Sequence, residues 1–156
     1  MATFISKGPE QTQSLGESWG KSAAAGLVIG LSGDLGAGKT ELVKGLARGL
    51  GIKAAAVHSP SFSLVHEYTG GRLPLFHIDL YRLDSPSQII GAGLEEYFYN
   101  PPGVTVIEWV ERWGAPPDAM RYQQSPPDDA PLAYREVNIE TLSETERLIH
   151  YEDFGP

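Results

Sequence analysis

The spacing of hydrophobic and polar positions changes several times along the chain, and each change marks an element. Residues 26–32, GLVIGLS, form a short apolar run of the kind a strand buried on both faces presents. From Thr40 the period becomes helical: Leu42, Val43, Leu46, Ala47 and Leu50 share one stripe, with Glu41, Lys44 and Arg48 opposite. Gly49 and Gly51 bracket the predicted end of that helix. Residues 9–26, PEQTQSLGESWGKSAAAG, predict an earlier helix with Thr12 or Ser14 near its start. SPSFSLVHEY and RLPLFHIDLYRL are alternating or apolar runs joined by TGGR at 69–72, a β-hairpin pattern. DSPSQIIGAGLEEYFYNPPG predicts one or two short helices, the second around Leu94–Tyr99, and VTVIEW at 104–109 predicts another buried strand. Residues 114–131 are rich in proline, glycine and acid and predict a flexible surface loop. YREVNIETL and RLIHYED predict two terminal strands. The fold class is therefore α/β: a single domain over 1–156, with a mainly parallel central sheet and a β-hairpin inserted after the second helix.

Composition narrows the functional classes. The 156 residues are 41% hydrophobic, enough for one domain with a real core. There is no cysteine, which excludes disulfides, iron–sulfur clusters and cysteine-based zinc sites. The longest apolar run, AAAGLVIGL at 23–31, is too short for a membrane span, and MATFISKGPE lacks the form of a signal peptide. A cytoplasmic protein with no membrane role is expected. The net charge of −8 is uneven: residues 1–107 carry eight Lys/Arg against nine Asp/Glu, and the remainder four against eleven. An acidic C-terminal third is a poor surface for nucleic acid, whose affinity rests on cations meeting phosphates. It serves solubility equally well.

Between the first predicted strand and its helix lies GDLGAGKTEL, residues 33–42. Gly33, Gly38, Lys39 and Thr40 match the spacing G-x-x-x-x-G-K-[ST]. A phosphate-cradling loop needs backbone N–H groups turned inward, and Gly33, Gly36 and Gly38 leave room for them. The helix behind adds its unpaired N–H groups and its dipole. In such a loop Lys39 reaches the β- and γ-phosphates and the Thr40 hydroxyl ligates Mg²⁺. Lys39 is expected to be exposed before ligand arrives.

A magnesium-bound triphosphate also needs a carboxylate near a strand's C-terminal edge and a polar group to orient water. VTVIE ends in Glu108, the form of a Walker B strand, and LFHID ends in Asp79. The bland alternative for each is a solvated acid at a strand end. His77 alternates with Asp79 and reads as a hydrogen-bonded structural histidine. Trp109 and Trp113 read as core or lid packing, with base stacking as the alternative. Arg82 and Arg112 either reach a γ-phosphate or pair with a nearby acid. Ser59 and Ser61 follow the loop helix, where many NTPases place a switch segment and where ordinary turns also occur.

GDLGAGKT, SPSFSLVHEY, HIDLYRL, GLEEYF and IEW, in this order, closely resemble the TsaE family over about Thr12 to Arg112. The loop alone is common to many families; HIDLYRL with IEW at this spacing is specific. The resemblance implies a compact P-loop domain that binds ATP and Mg²⁺, hydrolyses ATP weakly alone, and serves threonylcarbamoyladenosine modification of bacterial tRNA. It implies that Gly33, Asp34, Leu35, Gly36, Ala37, Gly38, Lys39, Thr40 and Glu41 hold the nucleotide (ATP or ADP). Thr40 and Glu108 would surround the metal, and Asp79 would lie near the γ-phosphate. Ser61 would sit on a switch-like segment, Trp109 would abut the site, and Thr12 would lie near the base. The implied partners are TsaD and TsaB-like proteins, with tRNA met only through that complex. Three departures stand out: Glu41 replaces a usual threonine, SPSF replaces SPTF, and 114–131 is longer than the family's usual connection. A carboxylate at Glu41 would weaken nucleotide binding unless it points away.

Two other functional classes use similar loops. Small-molecule kinases commonly add an arginine-bearing lid, whereas the seven arginines here are scattered singly. A nucleotide-gated binding switch differs mainly in what hydrolysis resets. A GTPase is disfavoured, because none of the five lysines has an aspartate two places on.

Overall fold

The computed structural model describes residues 2–34, 37–58, 64–81, 94–98, 101–110 and 133–154. Its elements are β1 (Ala2–Ser6), α1 (Pro9–Ser22), β2 (Leu27–Gly33), α2 (Lys39–Gly49), a 3-10 turn (Ala54–Ala56), β3 (Val65–Tyr68), β4 (Leu75–Asp79), α3 (Glu95–Phe98), β5 (Val104–Glu108), β6 (Ala133–Thr141) and β7 (Arg147–Phe154). Seven strands form one sheet in the order β1-β7-β6-β2-β5-β4-β3.

Strands β4 and β5 are buried at every position, and Val28 to Leu31 of β2 likewise. Strands covered on both faces read as continuous apolar runs, which is why these three stand out in the sequence. They are mutually parallel through β5, and β6 adds in parallel on the other side of β2. Their C-terminal ends therefore share one edge. The sheet as a whole is evenly mixed rather than mainly parallel, because β3–β4, β6–β7 and β7–β1 are antiparallel. The inserted hairpin is β3–β4, closed by the pair Tyr68 and Leu75. Strand β1, absent from the pattern analysis, is a mostly exposed edge strand that exists only by pairing with β7.

Alternation along the strands separates two cores. Ile29, Leu31 and Val106 face one cluster with Trp19, Val43, Leu46 and Ala47 of the helices. Val28, Ile78 and Ile107 face the other, with Leu94, Phe98 and Tyr134. Helix α1 starts at Pro9, one turn before Thr12, with Gly8 as its N-cap. Helix α2 buries the whole predicted stripe and ends as expected: Gly51 takes φ +84° while its N–H and that of Ile52 bond back to Arg48 and Ala47 carbonyls.

The two helices meet backbone to backbone. A Cβ at Gly16 or Gly20 would collide with the carbonyls of Leu42 or Leu46, and one at Gly45 or Gly49 with those of Gln13 or Glu17. Glycine at four-residue spacing on both helices is what permits this approach, and it brings the start of α1 beside the start of α2. Among the described residues no helix is long and apolar enough to cross a membrane. The stretch 114–131 lies outside the described residues, as do residues 84–93 of the segment predicted to hold one or two short helices.

Candidate functional site

Three parallel strands deliver their last residues to one edge, where β2 leads through the glycine-rich stretch into α2. In register, Leu31 pairs with Glu108 and Glu108 with Asp79. Open α/β sheets bind ligands at the carboxyl ends of their strands, so these acids stand where chemistry is expected.

The loop geometry depends on two glycines. Gly33 has φ +144°, and a Cβ there would lie 2.5 Å from the Ile139 carbonyl oxygen of neighbouring β6. Gly38 has φ +101° and forms the N-cap of α2. Lys39 opens that helix, but it is not exposed. Its side chain is buried, with Nζ donating to the carbonyls of Gly33 (2.6 Å) and Asp34 (2.9 Å) and lying 4.0 Å from the Trp109 ring centroid. The expectation of an exposed lysine is corrected: a flexible cation beside inward-facing carbonyls folds onto them, because its charge needs acceptors when water is excluded.

Thr40, one residue on, directs Oγ1 to Glu108 Oε1 at 3.3 Å. Glu108 is itself buried, and its Oε2 accepts a short hydrogen bond from His77 Nε2. His77 lies two residues before Asp79 on β4, so pairing of β4 with β5 carries its imidazole to the glutamate. The structural reading of His77 holds, with a functional carboxylate candidate as its partner. Asp79 is buried, and its Oδ1 accepts from the Tyr81 N–H at 2.9 Å.

Trp109, immediately after Glu108, has φ +60°, a conformation that costs a non-glycine residue of order 1–2 kcal/mol. Its ring packs 5.0 Å from that of Tyr81 and over Lys39 Nζ. The aromatic therefore roofs the lysine.

On the other side of the loop, Thr12 is buried and shares a hydrogen bond of 2.7 Å with Ser6 Oγ. It lines a cavity of about 340 Å³ with Gly38, Glu41, Glu144 and Arg147 among others. Glu41 is turned into contacts with the helices: Oε2 accepts from Gln13 Nε2 at 2.5 Å and Oε1 meets Lys44 Nζ at 3.3 Å. Both oxygens are thus engaged. Arg147 donates to the Ala37 carbonyl at 3.1 Å, joining the start of β7 to the loop. Nothing in the sequence around Arg147 signals this role, since the contact spans 110 positions. Leu35, Gly36, Ser59, Ser61, Arg82, Arg112 and Trp113 lie outside the described residues.

Behind Glu108, the Tyr68 hydroxyl lies 3.4 Å from His77 Nδ1, 3.1 Å from the His58 carbonyl oxygen and 3.1 Å from His66 Nδ1. Burial raises the pKa of Tyr68, the backbone hydrogen bond at His58 opposes, and the charge of Glu108 adds to the rise. Burial lowers the pKa of His66, helped by the neighbouring His58 and His77.

The family model described as "Threonylcarbamoyl adenosine biosynthesis protein TsaE" matches residues 6–147. The chain belongs to the TsaE family. Proteins named "tRNA threonylcarbamoyladenosine biosynthesis protein TsaE" align from Nostoc sp. at 51% identity (66% of this chain, 64% of that protein) and from Bacillus subtilis at 46% (65% and 61%). The chain thus spans somewhat less than two thirds of these relatives. The TsaE protein of Rickettsia felis is 31% identical across 93% of this chain and 76% of its own. The crystal structure of Bacillus subtilis YdiB superposes with a TM-score of 0.68 at 31% identity, covering 98% of this chain and 83% of that one. Membership in TsaE extends past Arg112, where the motif resemblance stops, to the loop-clamping Arg147.

Proposed function

We propose that this chain is a magnesium-dependent ATPase with a P-loop NTPase-like fold, acting in threonylcarbamoyladenosine modification of tRNA. One observation carries the reading: the Lys39 ammonium, the Thr40 hydroxyl and the Glu108 carboxylate converge where the parallel strands β2, β4 and β5 end. The donors fit the metal. Thr40 and Glu108 offer oxygen alone, the ligand type Mg²⁺ prefers. Among the described residues no group of three or more His, Asp or Glu forms a cage for a metal ion. Mg²⁺ bound with a nucleotide needs only one or two protein ligands beside the phosphates.

Each residue then has a physical task. Backbone N–H groups of the loop and the start of α2 hold the phosphates of ATP or ADP. Lys39 exchanges its carbonyl partners for β- and γ-phosphate oxygens, and Trp109 keeps water from that cation. Bound Mg²⁺ supplies charge neutralisation for the departing phosphate. Glu108 and Thr40 hold the metal's side of the site, and Asp79 orients the attacking water. Thr12 and its cavity receive the nucleoside end, with Glu41 held aside by Gln13 and Lys44.

The acids test the assignment by failing differently. Glu108→Gln keeps an acceptor for His77 but loses charge at the metal, so Mg·ATP affinity should fall about tenfold or more. Asp79→Asn should keep most affinity and lose turnover, by about 100-fold. Nucleotide titration and release of γ-labelled phosphate separate the two. Equal, mild losses at both sites would reduce them to structural acids, and label in a phosphorylated metabolite would make the protein a kinase.

The proposed setting is cytoplasmic, with TsaD and TsaB-like proteins as partners and tRNA met only through their complex. The acidic C-terminal third disfavours direct tRNA binding. ATP is expected to strengthen docking onto a TsaB–TsaD pair, with hydrolysis resetting it. Slow turnover alone, rising when the pair is added, is the expected result. A purified pair that cycles at full rate without this chain would overturn the partner assignment.

A further inference from the structure

His77 is a fully buried imidazole with a partner at each nitrogen. A carboxylate only accepts hydrogen bonds, so the short contact to Glu108 Oε2 requires the proton on Nε2. On the other side of the ring, Nδ1 lies 3.4 Å from the Tyr68 hydroxyl. Burial raises the pKa of that hydroxyl, so it keeps its one proton, which it donates to the His58 carbonyl at 3.1 Å. The same hydroxyl contacts the His58 carbonyl, so the imidazole plane is tied to the segment that follows the 3-10 turn.

The consequence falls on Glu108. With Oε2 held by His77, rotation about the last side-chain torsion is restricted, and the carboxylate keeps both oxygens toward Thr40 Oγ1, Oε1 at 3.3 Å and Oε2 at 3.5 Å. A carboxylate without this partner has a broad, nearly twofold torsional well and no preference for which oxygen it presents. We propose that His77 is a positioning residue for Glu108, its ring held from behind by contact with Tyr68, and that the His77–Glu108 pair sets how strongly Mg²⁺ and nucleotide support each other's binding. The role presupposes that Glu108 serves Mg·ATP. Groups that orient a metal-side ligand typically contribute 10–100-fold to metal affinity.

The test uses the full chain and a fluorescent ATP analogue, titrated with Mg²⁺ and again in EDTA. The ratio of the two affinities measures coupling between metal and nucleotide. His77→Leu should lose about tenfold or more of this ratio while its EDTA affinity stays within about twofold. His77→Gln places an amide N–H near the position of Nε2–H and should restore most of the coupling. Tyr68→Phe should lose about threefold, because the contact that holds the imidazole is one step further from the metal. A folded His77→Leu with unchanged coupling, or with equal loss in EDTA, would overturn the proposal and leave His77 a packing residue. Should His77→Leu not fold, Tyr68→Phe decides in its place, and unchanged coupling there would overturn the proposal. Absence of any Mg²⁺ effect in the unmodified protein would instead overturn the Mg·ATP reading of Glu108, a result obtained before any variant is made.

Discussion

Lys39→Ala is expected to lower ATP turnover by at least about 100-fold, because one preorganised charged donor at a reacting centre typically contributes 10²–10³. The same change should lower the stability of the nucleotide-free protein by about 1–2 kcal/mol. The lysine is buried, and its removal takes a charged donor from the carbonyls of Gly33 and Asp34 and a cation from beneath Trp109. For a domain of this size that corresponds to a melting temperature lower by roughly 2–8 °C. Both readouts are needed, since a purely exposed phosphate-binding lysine would move activity alone. Calorimetry without nucleotide, beside phosphate release with it, separates the outcomes. Full activity in a folded Lys39→Ala protein would remove the loop from the mechanism.

Gly45→Ala is expected to be the most damaging single methyl addition among the described residues. The new Cβ would be driven into the Gln13 backbone, which belongs to a helix and cannot swing aside as a side-chain tip would. Overpacking of this kind typically costs about 1–3 kcal/mol and more when backbone must move, so a loss of about 3 kcal/mol is expected. Helix α1 must then retreat from α2, which also carries Thr12 and Gln13 away from Glu41 and the loop cavity. The variant should therefore show a lower unfolding midpoint together with weaker nucleotide binding. Gly8→Ala is the control for added volume: a Cβ there meets nothing within 4 Å, and the poorer N-cap should cost α1 no more than about 1 kcal/mol. Equal unfolding midpoints for the two variants would mean that the close helix crossing contributes little.

Much of the candidate site was legible in the chain because the residues that form it lie in short local patterns. The spacing from Gly33 to Thr40 fixes a loop between strand and helix, and the apolar runs ending in Asp79 and Glu108 carry acids to strand termini by periodicity alone. The hairpin and the two last strands were visible for the same reason: turn residues and alternation act within a few positions. What needed the tertiary structure are the relations between distant segments. Edge strand β1 has little apolar signal and depends on β7, more than 140 positions away, as its template. Of the antiparallel pairings that make the sheet evenly mixed, β3–β4 was legible as a hairpin, whereas β7–β1 is encoded by no local period. Lys39 turned inward because carbonyls of its own loop were within reach once Trp109 covered it. His77 met Glu108 because β4 and β5 pair in parallel, and Arg147 reached Ala37 because β7 returns beside the loop. Sequence alone determined which groups this protein carries to the ends of its strands. Folding decided which of them touch, because hydrogen bonds and ion pairs act over a few ångströms of space whatever the separation along the chain.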